Sequence, residues 1–217
     1  MENGVGEYEV KGTVVGTYAR GCLINDGTGY ILYYANAQTE AKVGDVVTLS
    51  GSVTQYAGLY QFGNTSTLTI ESSGNKFTYP TPRALSATDM DAMLATPAIE
   101  YVSYTGTLSI SGYYYNVSID GAETAVGSIS YPAEGLIDTL LNNKQVTVTG
   151  YFIGVSGKYF NTMATSVTAA LKKNSGIAIG NVIGSNLFNV FFVLGCSATI
   201  SPLPMGGITN LDLVVMT

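Results

Sequence analysis

The chain has 217 residues, nine Lys and Arg against fifteen Asp and Glu, a formal net charge of −6 and no histidine. The missing imidazole excludes Ser-His-Asp and Cys-His triads and any His-ligated zinc or iron site. It also removes the side chain that most often moves protons near neutral pH. Charge is uneven along the chain: residues 1–162 hold seven basic and fourteen acidic side chains, whereas residues 163–217 hold only Lys172, Lys173 and Asp212. All sixteen tyrosines precede Phe160. Such a shift marks a boundary between two physical environments.

The start, Met1-Glu-Asn-Gly-Val-Gly-Glu, is polar and acidic and lacks the basic and apolar runs of a secretion signal. It predicts a cytoplasmic chain, or one whose signal lay upstream and was removed. From Tyr8 the residues alternate: Tyr8, Val10, Gly12 and Val14 on one face, Glu9, Lys11 and Thr13 on the other. This is strand periodicity with one buried face. Residues 46–54 repeat it, with Val47, Leu49 and Val53 opposite Thr48, Ser50, Ser52 and Thr54. Asn25-Asp26-Gly27-Thr28-Gly29 and Lys42-Val43-Gly44-Asp45 supply the turns between.

Residues 71–98, with Ser72-Ser73-Gly74 and Pro80, Pro82 and Pro97, read as a linker. A short helix is expected around Ser86 to Ala95, with Ser86 or Thr88 as cap and Asp89 and Asp91 in its first turn. The first layout then returns 94 to 99 residues on: Gly12 matches Gly106, Asp26-Gly27 matches Asp120-Gly121, Val47 to Gly51 matches Val146 to Gly150, and Tyr60 matches Tyr159. Order and spacing are both kept, so the region reads as two copies of one domain. A glycine inside a strand of a small barrel marks a sharp bend or close backbone approach. Each copy, about 65 residues with five strands, suits a small Greek-key barrel.

The pattern Val10 to Val14, Asp26-Gly27, Val43 to Gly51 and Tyr56-Ala-Gly58-Leu59 resembles the tandem OB-fold domains of bacterial surface and secreted proteins. The resemblance spans residues 8–162. The second copy departs where Asn143-Lys144-Gln145 replaces the Gly-Asp before its strand. It implies barrels outside the cytoplasm that bind a strand of sugar or nucleic acid on one sheet face.

Tyr18, Tyr33, Tyr56, Tyr60, Tyr114 and Tyr159 are candidate stacking residues, with Tyr30, Tyr34, Tyr113 and Tyr115 as further platforms. The alternative is ordinary strand tyrosine, which favours half-buried pleated surfaces. Nucleic-acid affinity comes largely from Lys and Arg on phosphates, and the acidic balance here disfavours it. A carbohydrate, a protein partner or a spacer role fits better. Asp26, Asp45 and Asp120 sit beside turn glycines, where a carboxylate bonds local backbone. No catalytic role, resident cofactor or metal in the barrels is expected. Cys22 and Cys196 lie in different pieces and read as small buried apolar residues rather than a disulfide. Asn64-Thr-Ser and Asn116-Val-Ser fit a glycosylation pattern without further support.

From Ile177 to Ile200 there are 24 residues without a charge, the length that crosses a bilayer core of about 30 Å as a helix. Ser201-Pro-Leu-Pro ends the run, and Lys172-Lys173 favours a cytoplasmic start. Asn181, Ser185 and Asn189 share one helical face, and polar groups at membrane depth face a pathway or partner. Gly180-Asn-Val-Ile-Gly-Ser-Asn-Leu-Phe-Asn189, then Val193-Leu-Gly195 and Ser201-Pro-Leu-Pro204, closely resembles the second α-repeat of the sodium/calcium exchanger family. The resemblance covers residues 164–217. It implies Ca2+ and Na+ as the only ions, Ser185 and Asn189 as cation ligands, and Asn181 and Asn186 as packing or secondary contacts. The family's ligand glutamate precedes Ala164-Thr165-Ser166, and its place is held by Thr162. The first α-repeat is missing, and such transporters need inverted repeats around the site.

The fold expected is therefore mainly β: two five-stranded OB-like Greek-key barrels plus a C-terminal transmembrane α-helical segment. The divisions are barrel 1 at 1–72, a linker with a short helix at 73–98, barrel 2 at 99–163, and an exchanger-like piece at 164–217 with its helix at about 177–200. The function expected is a non-enzymatic binding module with a membrane-seeking tail whose lipid-facing part carries no transport alone. The alternatives are a sodium/calcium antiporter fragment and a nucleic-acid-binding accessory domain. Lys172-Lys173 inside would keep the barrels in the cytoplasm, against the barrel resemblance, which suggests a recombined or truncated gene joined near residues 163–167.

Overall fold

The computed structural model describes residues 4–170. The first barrel uses β1 (Gly6–Tyr18), β2 (Gly21–Asn25), β3 (Tyr30–Tyr34), β4 (Val46–Tyr56) and β5 (Leu59–Phe62). They close in the order β1-β2-β3-β5-β4 and back to β1, and β6 (Thr67–Ser72) adds to the outer side of β4. One strand serves two neighbours because β1 bends. Residues 6–13 pair with β4, residues 13–18 pair with β2, and a bulge falls between Val14 and Gly16. Closure is parallel, with Leu32 opposite Gln61 and Tyr33 opposite Phe62. Val14, Ile24, Val47, Leu49 and Phe62 are wholly buried inside.

The second barrel repeats this with β8 (Glu100–Ser111), β9 (Tyr114–Ser118), β10 (Val126–Ile129), β11 (Gln145–Ser156) and β12 (Tyr159–Ala169), closed as β8-β9-β10-β12-β11 and back to β8. Its closure is again parallel, Val126 opposite Tyr159 through Ile129 opposite Thr162. β7 (Arg83–Ala84) lies parallel on β8. The matched glycines do the same work in both copies. A Cβ on Gly12 would meet the Asn25 carbonyl oxygen at 2.5 Å, and one on Gly106 would land on that of Ser118. Neither position tolerates a side chain while the first two strands of its barrel stay paired.

The linker helix is α1 (Ala87–Ala95). Ser86 is its N-cap: its hydroxyl accepts from the Asp89 N–H while the Asp89 carboxylate takes the Ser86 N–H, a reciprocal capping box. Met90 and Met93 are buried in the second core, so α1 plugs that barrel. Asp91 ties the plug to the β9–β10 loop by accepting the N–H groups of Glu123, Thr124 and Ala125 at 2.8, 3.0 and 2.6 Å. These bonds, Glu123 foremost, hold its carboxyl below the usual range. A carboxyl with a lowered folded pKa stabilises the fold while ionised, and the benefit disappears as pH falls through that lowered value. The melting temperature should therefore drop on acidification below about pH 4, and Asp91→Asn should flatten that drop. Circular-dichroism melts from neutral to acid pH check both.

A third apolar cluster joins the barrels. Val15, Tyr18, Leu23 and Leu32 from the outer face of barrel 1 meet Tyr101, Tyr151, Ile153 and Met163 from barrel 2. Two backbone bonds flank it, Ala19 N–H to the Tyr131 carbonyl at 3.0 Å and Val155 N–H to the Ala57 carbonyl at 2.8 Å. Both acceptors hold left-handed backbone, Ala57 at φ 53° and Tyr131 at φ 43°. L-residues keep that conformation only where their surroundings fix it.

One expectation is corrected. Two closed five-stranded barrels are present, but the expected membrane-crossing helix is not among the described residues, where no helix is long and apolar enough to cross a membrane. The one α-helix there, α1, has nine residues. At 1.5 Å per residue it spans about 13 Å, under half of a bilayer core. The run 177–200, and with it Asn181, Ser185, Asn186 and Asn189, lies outside the described residues.

Candidate functional site

Strand alternation and the inter-barrel seam together sort the tyrosines. Tyr18 is buried in the seam, and burial is the main cause that raises its phenol pKa. Tyr33 is buried in the first core and donates its hydroxyl to the Ser66 carbonyl at 3.0 Å. Neither offers a ring face to a ligand. Tyr60 is partly buried against the same core. Tyr56, Tyr114 and Tyr159 are exposed, at 64%, 72% and 36%. The Lys158 ammonium lies 5.7 Å from the Tyr159 ring centroid.

OB barrels most often use the outer face of their second and third strands. In barrel 1 that face is closed, because Leu23 and Leu32 are seam residues. In barrel 2 it is open. The inward positions Tyr115, Val117 and Ile129 join the core, which leaves Tyr114, Asn116 and Ser118 of β9 and Val126 and Ser128 of β10 facing out. Pairing register extends this surface into two rows. Ser109, Asn116, Ser128 and Asn161 form one, and Thr107, Ser118, Val126 and Tyr159 form the next. Tyr114, opposite Ser111, stands at the other end.

Tyr114 and Tyr159 thus occupy diagonal corners, roughly 13 Å apart along the strands and 10 Å across them. The positions between carry hydroxyls, amides and one valine, and no charged side chain. Asn161 donates to the Ser156 hydroxyl at 2.9 Å, which fixes its amide at one edge. The surface can stack two rings or sugar faces and offer both donors and acceptors between them.

The carboxylates lie elsewhere and hold turns. Asp26 accepts from the N–H groups of Thr28 and Gly29 and from the Thr28 hydroxyl. Asp45 accepts the Lys42 N–H at 2.9 Å, the largest of the effects that lower its pKa. Among the described residues no group of three His, Cys, Asp or Glu side chains is placed to hold a metal ion. Cys22 is buried in the first core, which pushes its thiol pKa up to about 12.

The exchanger-like string Ala164-Thr165-Ser166 falls within β12. Thr162, at the position of the exchangers' glutamate, is fully buried in barrel 2, with its hydroxyl 3.0 Å from that of Tyr104. The seam residues were missed from the sequence. Their signal was present, since Gly21-Cys-Leu-Ile-Asn25 and Tyr30-Ile-Leu-Tyr33 are apolar on successive positions, the mark of a strand covered on both faces.

The family model for the sodium/calcium exchanger protein matches residues 133–217, a range that also takes in β11 and β12. The sodium/calcium exchanger MaX1 of Methanosarcina acetivorans is 38% identical over 64 residues, 28% of this chain and 18% of that protein. The inner membrane protein YrbG of Escherichia coli is 45% identical over 40 residues, 18% of this chain and 12% of that one. The chain spans less than a fifth of the length of these curated relatives. Among solved structures, p202 HIN1 with 12-mer double-stranded DNA aligns at TM-score 0.37 and 8% identity, over 76% of this chain and 94% of that one. A murine DNA-binding protein bound to double-stranded DNA aligns at TM-score 0.36 and 10% identity, over 79% and 98%. Likenesses of that size establish neither a shared fold nor a shared ligand. Part of the chain, residues 133–217, is therefore similar to sodium/calcium exchangers, and the OB-like barrels, whose last two strands fall within that range, stand on their own geometry.

Proposed function

We propose that the chain is a binding module whose open face on barrel 2 takes an uncharged, hydroxyl-rich chain, and that its exchanger-like part associates it with a membrane. The observation that carries the ligand reading is the uncharged row Ser109, Asn116, Ser128 and Asn161 between the exposed rings of Tyr114 and Tyr159. Sugars present apolar C–H faces that stack on such rings and hydroxyls that pair with amides. A polyanion would need several basic side chains, and the rows between the two rings carry none, with Lys158 beside Tyr159 at one corner.

Titration of the full chain with neutral oligosaccharides should give saturable binding that Tyr114→Ala or Tyr159→Ala each weakens about tenfold, near 1.4 kcal/mol. Raising salt from about 50 to 200 mM should change it little, whereas phosphate recognition would weaken steeply. Binding only to single-stranded nucleic acid, with strong salt dependence, would sink this reading. The membrane part is checked by whether the full chain sediments with vesicles while residues 1–170 stay in the supernatant.

A second reading, a piece of a sodium/calcium antiporter, is favoured by the match over residues 133–217 and by the Gly180–Asn189 string. Transport requires two facing repeats. The chain alone, reconstituted in vesicles, is expected to show no sodium-driven calcium uptake. Uptake that Ser185→Ala abolishes would establish transport instead.

A further inference from the structure

A second concavity lies on the seam, away from the open face of barrel 2. A hollow of about 650 Å3 opens between the β2–β3 hairpin tip, residues 76–80 and Tyr151 of β11. Its aromatic wall draws on both barrels. Tyr30, Phe77 and Tyr151 line it, with the Tyr30 and Tyr151 ring centroids 5.5 Å apart; outside the lining, Tyr101 lies 4.7 Å from Tyr151 and stacks on Tyr79 at 5.3 Å. Phe77 meets Tyr79 edge-on at 5.1 Å. The opposite rim is polar, with Asn25, Asp26 and Lys76.

Two polar groups here are unspent. Tyr151 is 1% exposed and lines the hollow, and among the described residues nothing hydrogen-bonds its hydroxyl. Burial, the main cause, keeps that phenol protonated well above its ordinary range, so it remains a donor. Asp26 commits one carboxylate oxygen to its turn, which lowers its pKa chiefly through Thr28. Its second oxygen has no partner among the described residues.

We infer that this hollow binds a single neutral sugar ring, stacked by its C–H face on Tyr30 and Phe77, with hydroxyls on the free Asp26 oxygen and Asn25 and an oxygen accepting from Tyr151. The volume lies within the roughly 300–1,000 Å3 of small-molecule sites. Asp26 and Lys76 carry opposite charges, so the rim selects no net ion. Aromatic floor, carboxylate and amide together suit vicinal hydroxyls rather than a purely apolar guest.

The test is calorimetric titration of the full chain with the methyl glycosides of glucose, galactose and mannose, up to about 50 mM, where millimolar binding saturates. At least one should bind, and Tyr151→Phe, which keeps the ring in the seam, should weaken it about tenfold. Asp26→Asn, which keeps an acceptor for the turn, should weaken it several-fold and serves if the first variant folds poorly. A Tyr114→Ala/Tyr159→Ala double variant should leave this binding unchanged, which separates it from the open face. If no glycoside binds, or if both seam variants bind as the parent does, the site is refuted.

Discussion

Truncating Tyr151 to alanine is expected to cost about 3 kcal/mol of unfolding free energy and to lower the melting temperature by about 6–12 °C for a unit of this size. The side chain is 1% exposed and touches the ring systems of Tyr30 and Tyr101 as well as the seam cluster. Its removal leaves a gap that the two barrels fill only by sliding, and the backbone bonds at Ala57 and Tyr131 oppose that. The estimate sits at the low end for a large aromatic because one edge of the ring faces the hollow rather than packed atoms. Urea unfolding followed by tyrosine fluorescence and by circular dichroism measures it. Both probes should report one shared transition in the parent chain. Two separate transitions there, with Tyr151→Ala affecting only one, would show that the barrels do not stabilise each other.

Gly106→Ala and Gly12→Ala are expected to cost about 2–3 kcal/mol each. At each site the new methyl falls on a backbone carbonyl of the next strand, and on the neighbouring Val117 or Ile24 side chain as well. A carbonyl held in a ladder cannot swing aside as a lysine tip would, so the hairpin must open. Gly29→Ala is the control, since a Cβ there meets nothing within 4 Å, and it should lie within about 0.5 kcal/mol of the parent. Equal losses at Gly12 and Gly106 are what two copies of one domain require. A neutral result at either would break the correspondence at that position.

The sequence carried the barrels well because their information is local and repeated. Alternation marked the inward sides of β1 and β4, turn residues marked the hairpins, and the recurring glycines tied copy to copy. Ser86 and Asp89 announced the helix start through their spacing. The parallel closure of β3 with β5 and of β10 with β12 was implied only through the OB resemblance, since no residue pattern names a partner strand. The fate of the tyrosines was less legible. Tyr18 and Tyr33 looked like Tyr114 in sequence; Tyr18 sits on the outer face that the second barrel covers, and Tyr33 points into the first core. Uninterrupted apolar runs at Cys22 to Ile24 and Tyr151 to Ile153 held that answer. The open face differs in the same terms: Asn116, Ser118 and Ser128 break every apolar run that crosses it.

The seam also sets a timetable for synthesis. Barrel 1 is complete at Ser72, but after Tyr101 in β8 the rest of the cover, Tyr151, Ile153 and Met163, arrives with β11 and β12, which end at Ala169. At translation speeds of about 5–20 residues per second, the nascent chain carries an uncovered sticky patch for roughly 5–20 seconds. During that interval another ribosome's barrel 1 is the nearest available cover, so crowded polysomes should favour tangling between sister chains, and slower initiation or holdase chaperones should raise the yield of correctly paired molecules.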